Sequence, residues 1–344
     1  APKEILYDNK PHIGTDLLTG IVKSIREEII RLGGEVRFSS KLEDINYKEG
    51  YLHSIKLNNG EILDCEVLVL AIGHSARDTF ELLYEKKLNI EAKSFAVGLR
   101  VQHPQSMINI SQYGKEAADI LPTASYKLTS KSSAARGVYS FCMCPGGYVV
   151  NASTEKGGLA INGMSYHDRK SESANSAIIV TVDAKEFADE TPLAGMYLQR
   201  ELESKCYQAG NSYIPVQLLG DFIKGRESME FGETKPCFKG KYTFSRLDKI
   251  LPDFIVAALK EAFAAFDKKI EGFAREDAIL SAIESRTSSP IRIVRDENLE
   301  ASIRGIYPSG EGAGYAGGIS SAAMDGLKVA EAIISKYNSS LINS

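Results

Sequence analysis

Apolar residues at helical spacing, together with residues typical of helix starts and ends, predict five helices in the chain. The first begins at a cap provided by Thr15 or Asp16 and ends at Gly33-Gly34. Its apolar positions are those of one helix face: Leu18, Ile21, Val22, Ile25 and Ile29. The other predicted helices cover residues 79–87, 192–209, 252–269 and 320–335.

Shorter apolar or alternating runs between these helices predict strands. The run at 67–73, VLVLAIG, is continuously apolar and is typical of a strand buried on both faces. The run at 41–64 contains two turn signals, Lys48-Glu-Gly50 and Asn58-Asn-Gly60, and predicts a three-stranded meander. The remaining predicted strands are 35–39, 95–102, 137–143, 147–152, 177–182, 280–283, 290–294 and 303–307.

The order of these elements predicts a discontinuous α/β sheet domain, residues 1–94 and 278–344, with a mixed α+β domain inserted at 95–277. The first part alternates helix and strand, whereas the middle part is rich in strands and irregular loops. The chain then returns to the sheet domain for a last strand and a last helix. A frayed tail is expected from residue 336 onward.

Charge and composition narrow the class of protein. The 344 residues are 43% hydrophobic and 25% charged, with a formal net charge of −4, as in ordinary globular proteins. This balance disfavours binding to nucleic acid or to an anionic membrane surface. No apolar run reaches the length of about 18 residues that a membrane span needs, and no signal peptide is evident. Five cysteines, an odd number without a disulfide framework, favour the cytoplasm.

The most informative stretch lies near the end of the chain, where a short strand, a glycine-rich turn and a helix follow one another. Residues 312–317 match G-x-G-x-x-G in the strand-to-helix context of a dinucleotide site. A Rossmann opening would need a further strand and an acidic residue about 20 positions later, and neither follows. We therefore interpret the stretch as the last strand and helix of a nucleotide-binding fold. The alternative is a turn whose glycines only allow helix and strand to pack.

Two other segments carry candidate chemistry. Gly73 follows the buried strand at the edge where parallel sheets bind ligands, although a packing role is equally consistent with it. Arg286 and Arg292 flank three hydroxyl residues and could grip a carboxylate or a phosphate, or could be surface arginines. Cys142 and Cys144 are one residue short of the C-x-x-C spacing, so no metal site is predicted.

Together these segments resemble the bacterial flavoproteins known as uncharacterised FAD-dependent dehydrogenases, within the wider glutathione-reductase-like group. The resemblance spans residues 8–335. It rests on the segments PHIGTD, AIGHSARDTFE, FCMCPGGYVV, NGMSYH, SRTSSP and GEGAGYAGG. The family's amino-terminal strand, G-x-G-x-x-G and helix are not found before Lys10. We therefore expect this chain to be the carboxyl-terminal part of a longer flavoprotein, with an incomplete three-layer FAD/NAD(P)-binding sheet domain.

The resemblance implies FAD as cofactor of the full-length protein and assigns residues to it. Leu42 would lie near the adenine, and Glu311 would accept hydrogen bonds from the ribityl hydroxyls. Isoleucine at position 72 replaces the family's threonine. The remaining implied cofactor residues are Ala71, Ile72, Gly73, His74, Gly310, Gly312, Gly314, Tyr315, Ala316, Gly317 and Gly318.

The implied activity is hydride or electron transfer between flavin and an unknown small molecule, with the inserted domain selecting the substrate. Candidate reacting side chains are His12, Cys142, Cys144, His167, Arg286 and Arg292. Buried structural thiols and hydrogen-bonded structural histidines are the alternative interpretation. Two other functions stay open: a cofactor-free interaction module, and flavin-dependent tRNA modification, which the acidic charge disfavours. An exposed parallel sheet edge would also invite a homo-oligomer.

Overall fold

The computed structural model describes residues 12–187 and 190–342. The chain divides into two compact units. The first unit contains the described residues up to Val36 together with Val97–Thr181 and Arg200–Ser285. The second unit contains Arg37–Ala96, Val182–Gln199 and the described residues from Arg286 onward. The domain limits drawn from the sequence stay a prediction.

The helices and strands of the described residues are numbered in chain order. The helices are α1 Thr15–Arg31, α2 Arg77–Glu85, α3 Gln105–Tyr113, α4 Ala194–Ala209, α5 Leu219–Lys224, α6 Asp253–Asp267 and α7 Ile319–Ile342. The strands are β1 Leu42–Lys48, β2 Tyr51–Leu57, β3 Ile62–Asp64, β4 Leu68–Leu70, β5 Ile90–Ala92, β6 Phe95–Pro104, β7 Thr129–Lys131, β8 Gly137–Cys144, β9 Gly147–Asn151, β10 Ile161–Ser165, β11 Ser173–Val182, β12 Ile214–Leu218, β13 Phe238–Lys239, β14 Tyr242–Phe244, β15 Ile279–Glu284, β16 Ile291–Ile293 and β17 Ile306–Pro308.

The first unit is built around a seven-stranded sheet with the order β14-β12-β15-β6-β11-β8-β7. A smaller sheet has the order β10-β9-β13. Helix α6 buries the apolar face that its sequence period predicts. The residues of that face, each at most 1% exposed, are Ile255, Leu259, Phe263 and Phe266.

The second unit contains three small sheets: the antiparallel meander β1-β2-β3, the parallel pair β17-β4 and the antiparallel pair β16-β5. The meander confirms the prediction from the two turn signals. One apolar core joins these sheets to α2. It includes the fully buried side chains of Ile45, Phe80, Leu83 and Ile306. The chain as a whole is therefore a mixed α/β protein with several sheets, and the three-layer arrangement stays a prediction.

The structure corrects the predictions for the start of the chain. Gly14, at φ 91°, precedes α1, and neither Thr15 nor Asp16 caps the helix. No residue of α1 is buried, although its apolar positions keep helical spacing. Residues 35–39 do not form a strand. A strand requires a neighbouring backbone, and Ser39 instead turns the chain at φ 56°.

Two further elements differ from the prediction. In β4, Leu68 is half-buried and Val69 is 43% exposed, so the strand is not buried on both faces. The reason is that β4 pairs only with β17 in the described sheets. Helix α7 continues to Ile342 instead of ending near residue 335. Among the described residues, no helix has both the length and the apolar character needed to cross a membrane.

We expect one buried histidine to make the first unit sensitive to acid. His103 is fully buried and donates a hydrogen bond from Nε2 to the carbonyl oxygen of Phe273 at 2.8 Å. Burial lowers its pKa from 6.5 to about 4. The unfolded chain therefore binds a proton below pH 6.5 that the folded chain does not bind. His103 accordingly contributes stability above pH 6.5 that is lost as the pH falls towards 4.

The measurement is urea unfolding between pH 7.5 and 4.5 of the wild type and of His103→Gln, whose amide also offers an N–H to Phe273. The wild type should lose about 2.5 kcal/mol more than the variant over this range. Carboxylates that titrate in both proteins cancel in the difference. Equal pH slopes for the two proteins would contradict the prediction.

Candidate functional site

The parallel pair of strands in the second unit places two predicted turns at one sheet edge. Ile306, Tyr307 and Pro308 lie opposite Leu68, Val69 and Leu70 in register. The N–H of Ser309 then donates to the carbonyl oxygen of Leu70 at 3.0 Å. Because both strands run in one direction, residues 71–76 and 309–318 leave from the same, carboxyl end. The structure thus brings together the two turns singled out from the sequence.

Two of the glycines are required because backbone approaches backbone. A Cβ atom on Gly312 would lie 2.4 Å from the carbonyl oxygen of Gly73. A Cβ atom on Gly314 would lie 2.6 Å from the carbonyl oxygen of Ile291, and Gly314 has φ 86°. Gly73 itself has φ 63°, a conformation that favours glycine. Gly312 and Gly314 therefore have a packing role, and contact of the turn with a ligand stays a prediction.

The end of the turn is different. Gly317 and Gly318 are exposed, and no heavy atom lies within 4 Å of the Cβ position of either. Their N–H groups donate to the Oγ of Ser321 at 3.3 and 3.1 Å. Ser321 therefore caps these two N–H groups just before α7. The backbone at residues 317–318 is thus exposed and uncrowded, while its N–H groups are held by Ser321.

The two turns are also joined by side chains. His74 Nδ1 forms a short hydrogen bond to Glu311 Oε1. His74 is buried, whereas Glu311 is partly exposed. His74 Nε2 is buried and has no hydrogen-bond partner among the described residues. The sequence suggested each of these residues separately but gave no signal that they are paired.

A buried ion pair that the sequence did not reveal supports the glycine turn. Arg295 donates to both carboxylate oxygens of Asp325, at 3.0 and 2.7 Å, and to the carbonyl oxygen of Pro308 at 2.9 Å. Asp325 Oδ2 also accepts the N–H of Gly310 at 2.8 Å. Hydrogen bonds from Arg295 keep the pKa of Asp325 below its ordinary value. The pair therefore ties the turn to α7.

Both predicted arginines of the second unit lie beside the turns. Arg286 Nη1 donates to Ser75 Oγ at 3.0 Å. The Arg292 guanidinium lies 5.3 Å from the centroid of the Tyr315 ring, and that of Arg295 lies 3.7 Å from it. Tyr315 donates through its hydroxyl to the carbonyl oxygen of Ile293 at 3.2 Å. Cation–π contacts of this kind fix both the ring and the guanidinium planes.

The other predicted cofactor residues of the second unit lie in varied surroundings. Leu42 begins β1 and packs, partly buried, against the apolar core. Ala71 is exposed and Ile72 is partly buried. Gly310 and Ala316 are buried. Their contact with a cofactor stays a prediction.

The two predicted histidines lie in the first unit and contact each other. The rings of His12 and His167 are stacked, with centroids 6.3 Å apart. His12 Nε2 donates to the carbonyl oxygen of Tyr166 at 3.0 Å, and His167 Nδ1 donates to that of Ile13 at 2.9 Å. Burial, with a smaller contribution from Arg169, lowers the pKa of His12. These contacts join the residues that precede α1 to the loop after β10, and a reacting role for either histidine stays a prediction.

The two predicted cysteines lie at the end of β8 in the first unit. Cys142 is exposed and has φ 46°, at a register shift between β8 and β11. The Cys144 thiol donates to the carbonyl oxygen of Cys142 at 3.3 Å and lies 4.0 Å from Arg100 Nη1. Burial raises the pKa of the Cys144 thiol. A raised pKa disfavours the thiolate that a nucleophilic or redox cysteine needs.

Comparison with known proteins identifies related chains. The family described as FAD-dependent protein, C-terminal domain-like, matches residues 94–287. An uncharacterised protein of Clostridium beijerinckii (strain ATCC 51743 / NCIMB 8052) is 55% identical over 343 residues, which cover 98% of this chain. The chain spans 64% of the length of that relative.

Two tetracycline destructases are among the solved structures with some similarity. Tet(51) has a TM-score of 0.23 and 9% identity, covering 72% of this chain and 60% of its own. Tet(55) has a TM-score of 0.21 and 12% identity, covering 69% of this chain and 55% of its own. Similarity at this level carries no argument about the present chain.

Proposed function

We propose a flavin-dependent oxidoreductase function for this chain, which belongs to the family of FAD-dependent proteins, C-terminal domain-like. In this proposal the second unit supplies part of the FAD site, and hydride or electrons pass between the flavin and a small molecule. The first unit contains most of the residues that match the family, and we propose that it contributes to the selection of the substrate.

One observation carries the proposal: two glycine turns meet at the carboxyl ends of the parallel strands β4 and β17. Gly312 lies against the backbone of Gly73, so both turns are fixed. Beyond them Gly317 and Gly318 leave backbone uncovered, at the amino end of α7. A helix amino end carries a partial positive charge and favours anionic ligands and charge. A nucleotide-type cofactor suits such an edge.

The hydrogen-bonding groups at this sheet edge are of the kind that FAD needs. Glu311 has a carboxylate that is partly exposed and only partly occupied by His74, so it can still accept hydroxyl donors. The buried and unpartnered Nε2 of His74 offers a further hydrogen bond. Backbone at residues 71–74 and 310–318 would hold the cofactor.

Bound FAD would supply the hydride or electron transfer itself. The chain's own residues would bind the cofactor and orient it. The Arg295–Asp325 pair keeps the turn fixed on α7, and His74 holds the Glu311 carboxylate in one position. Groups that are already held in place need not rearrange during a reaction. This preorganisation is the main source of electrostatic catalysis.

The test is an FAD titration of this chain and of the longer Clostridium beijerinckii relative, followed by flavin absorbance after gel filtration. Gly318→Val should weaken FAD binding about tenfold or more, because a side chain there would occupy the space that backbone leaves open. It should leave the thermal midpoint nearly unchanged, since nothing lies within 4 Å of that Cβ position.

Gly326→Val is the matched control, because Gly326 lies in α7 and also has open space around its Cβ position. It should bind FAD as the wild type does. If neither this chain nor the relative retained FAD, the flavin proposal would be wrong. Equal FAD binding by both valine variants would remove residues 317–318 from the site.

A further inference from the structure

Two cationic side chains, Lys93 and Arg292, lie at the antiparallel pair of strands β5 and β16, beside the glycine turn of the second unit. In this antiparallel pair Arg292 lies opposite Glu91, and Ala92 opposite Ile291. Lys93 follows β5 and continues the pairing, since its N–H donates to the carbonyl oxygen of Pro290 at 2.8 Å. Residues two apart on a strand share a face, so Lys93 lies diagonally across from Arg292 on the same face.

Neither cation forms a salt bridge in the part of the chain that the structure describes. The salt bridges found there include no carboxylate for Lys93 or Arg292, whereas the neighbouring Arg295 is paired with Asp325. Lys93 is nevertheless only partly exposed. Burial, and then repulsion by Arg292, lowers its pKa, while Glu311 acts in the opposite direction. Lys93 is therefore a partly desolvated charge beside the exposed guanidinium of Arg292, and an anion that joined the two cations would offset their repulsion.

The charges around Lys93 and Arg292 indicate which kind of anion these two cations would bind. Glu91 is exposed opposite Arg292, and Glu311 is held by His74. These two nearby carboxylates would repel a ligand of high negative charge. A single negative charge fits better. The guanidinium of Arg292, placed beside the Tyr315 ring, offers the planar N–H fork that matches a carboxylate, and Lys93 adds a point charge.

We propose that Lys93 and Arg292 form a subsite for the carboxylate of the small-molecule substrate. The subsite lies beside the turn because a Cβ atom on Gly314 would be 3.0 Å from the Cα of Arg292. This inference rests on the proposed oxidoreductase function and names its substrate class, a carboxylic acid. A phosphate group is also an oxyanion and could bind the same two cations, so the test compares a carboxylate with phosphate.

The test uses calorimetric titration of the chain, without FAD and at constant ionic strength, with benzoate and with inorganic phosphate as probes. We expect benzoate to bind more tightly than phosphate. Lys93→Met and Arg292→Met should each weaken benzoate binding about tenfold, as expected for the loss of one charge-assisted contact. Lys48→Met removes an exposed lysine at the end of β1 and should leave binding unchanged.

Thermal unfolding of each variant identifies loss of fold, and Arg292→Lys provides a second test that keeps the charge. Arg292→Lys should bind benzoate at an intermediate strength, because the fork is lost. Unchanged benzoate binding by folded Lys93→Met, or no binding by the wild type, would overturn the subsite. Tighter binding of phosphate would assign the cations to a phosphoryl group instead. FAD titration of the same proteins reports separately on the flavin proposal.

Discussion

Arg100→Met should lower the free energy of unfolding by about 3–5 kcal/mol, because it leaves a carboxylate buried without its counter-ion. Arg100 is fully buried in β6, and its Nε donates to Glu284 Oε2 at 2.9 Å. Its Nη1 donates to Asn175 Oδ1 at 2.9 Å and to the carbonyl oxygen of Cys142 at 3.1 Å. Burial alone would lower the pKa of Arg100, but Glu284 more than offsets this and the pKa is raised.

Urea unfolding of the single variants and of the Arg100→Met/Glu284→Leu double variant measures the effect. The double variant should be more stable than Arg100→Met, because it removes the buried charge as well. Arg31→Met is the control: Arg31 pairs with Glu28 on the exposed surface of α1, and its loss should not shift the midpoint measurably. A double variant no more stable than Arg100→Met would show that Glu284 is not the source of the cost.

The sequence predicted most accurately those elements whose buried face is determined by their own local pattern of apolar residues. Helix α6 has an uninterrupted apolar face, and the structure buries it. The meander β1-β2-β3 follows from two turn signals and alternation, and the structure pairs it as expected. In both cases a period of 3.6 or 2 residues is enough to state which face is apolar. Long-range partners are not needed for such a prediction.

The prediction was wrong where the outcome depends on a neighbour that local sequence does not specify. Residues 35–39 have strand-like composition, but Arg37 pairs through its side chain with Glu61 and no backbone ladder forms. The same is true of β4, which has one strand beside it in the described residues and so keeps Val69 exposed. Hydrophobic composition indicates that burial is favourable, not that a partner is present.

The candidate site was predictable in position but not in detail. A glycine turn after a parallel strand is a local signal, and it singled out Gly73 and residues 312–317. The other residues of 71–74 and 310–318 were implied by the family resemblance, and their contact with a cofactor stays a prediction. The partners of those turns are remote in sequence: Asp325 with Arg295, and His74 with Glu311. Ion pairs between residues so far apart leave no periodic pattern. Lys93 was missed for the same reason, since only the β5–β16 register places it near Arg292.

Gly312→Ala should lower the free energy of unfolding by about 3 kcal/mol, at the upper end of the cost of overpacking. The new Cβ atom would lie 2.4 Å from the oxygen, 2.5 Å from the carbon and 2.9 Å from the nitrogen of Gly73. All three are backbone atoms, so no side chain can rotate away. The turns must separate, and the flavin site proposed between them should be lost as well.

Urea unfolding of three alanine variants distinguishes glycines that are packed against backbone from glycines with open space around the Cβ position. Gly326→Ala, in the interior of α7 with open space around it, should be stabilising by about 1 kcal/mol, because alanine is the better helix former. Gly317→Ala should stay close to the wild type, since its Cβ position is also open. Wild-type stability of Gly312→Ala would mean that the two turns separate at little cost. Residues 71–74 and 310–318 would then not form a fixed edge that could hold a cofactor.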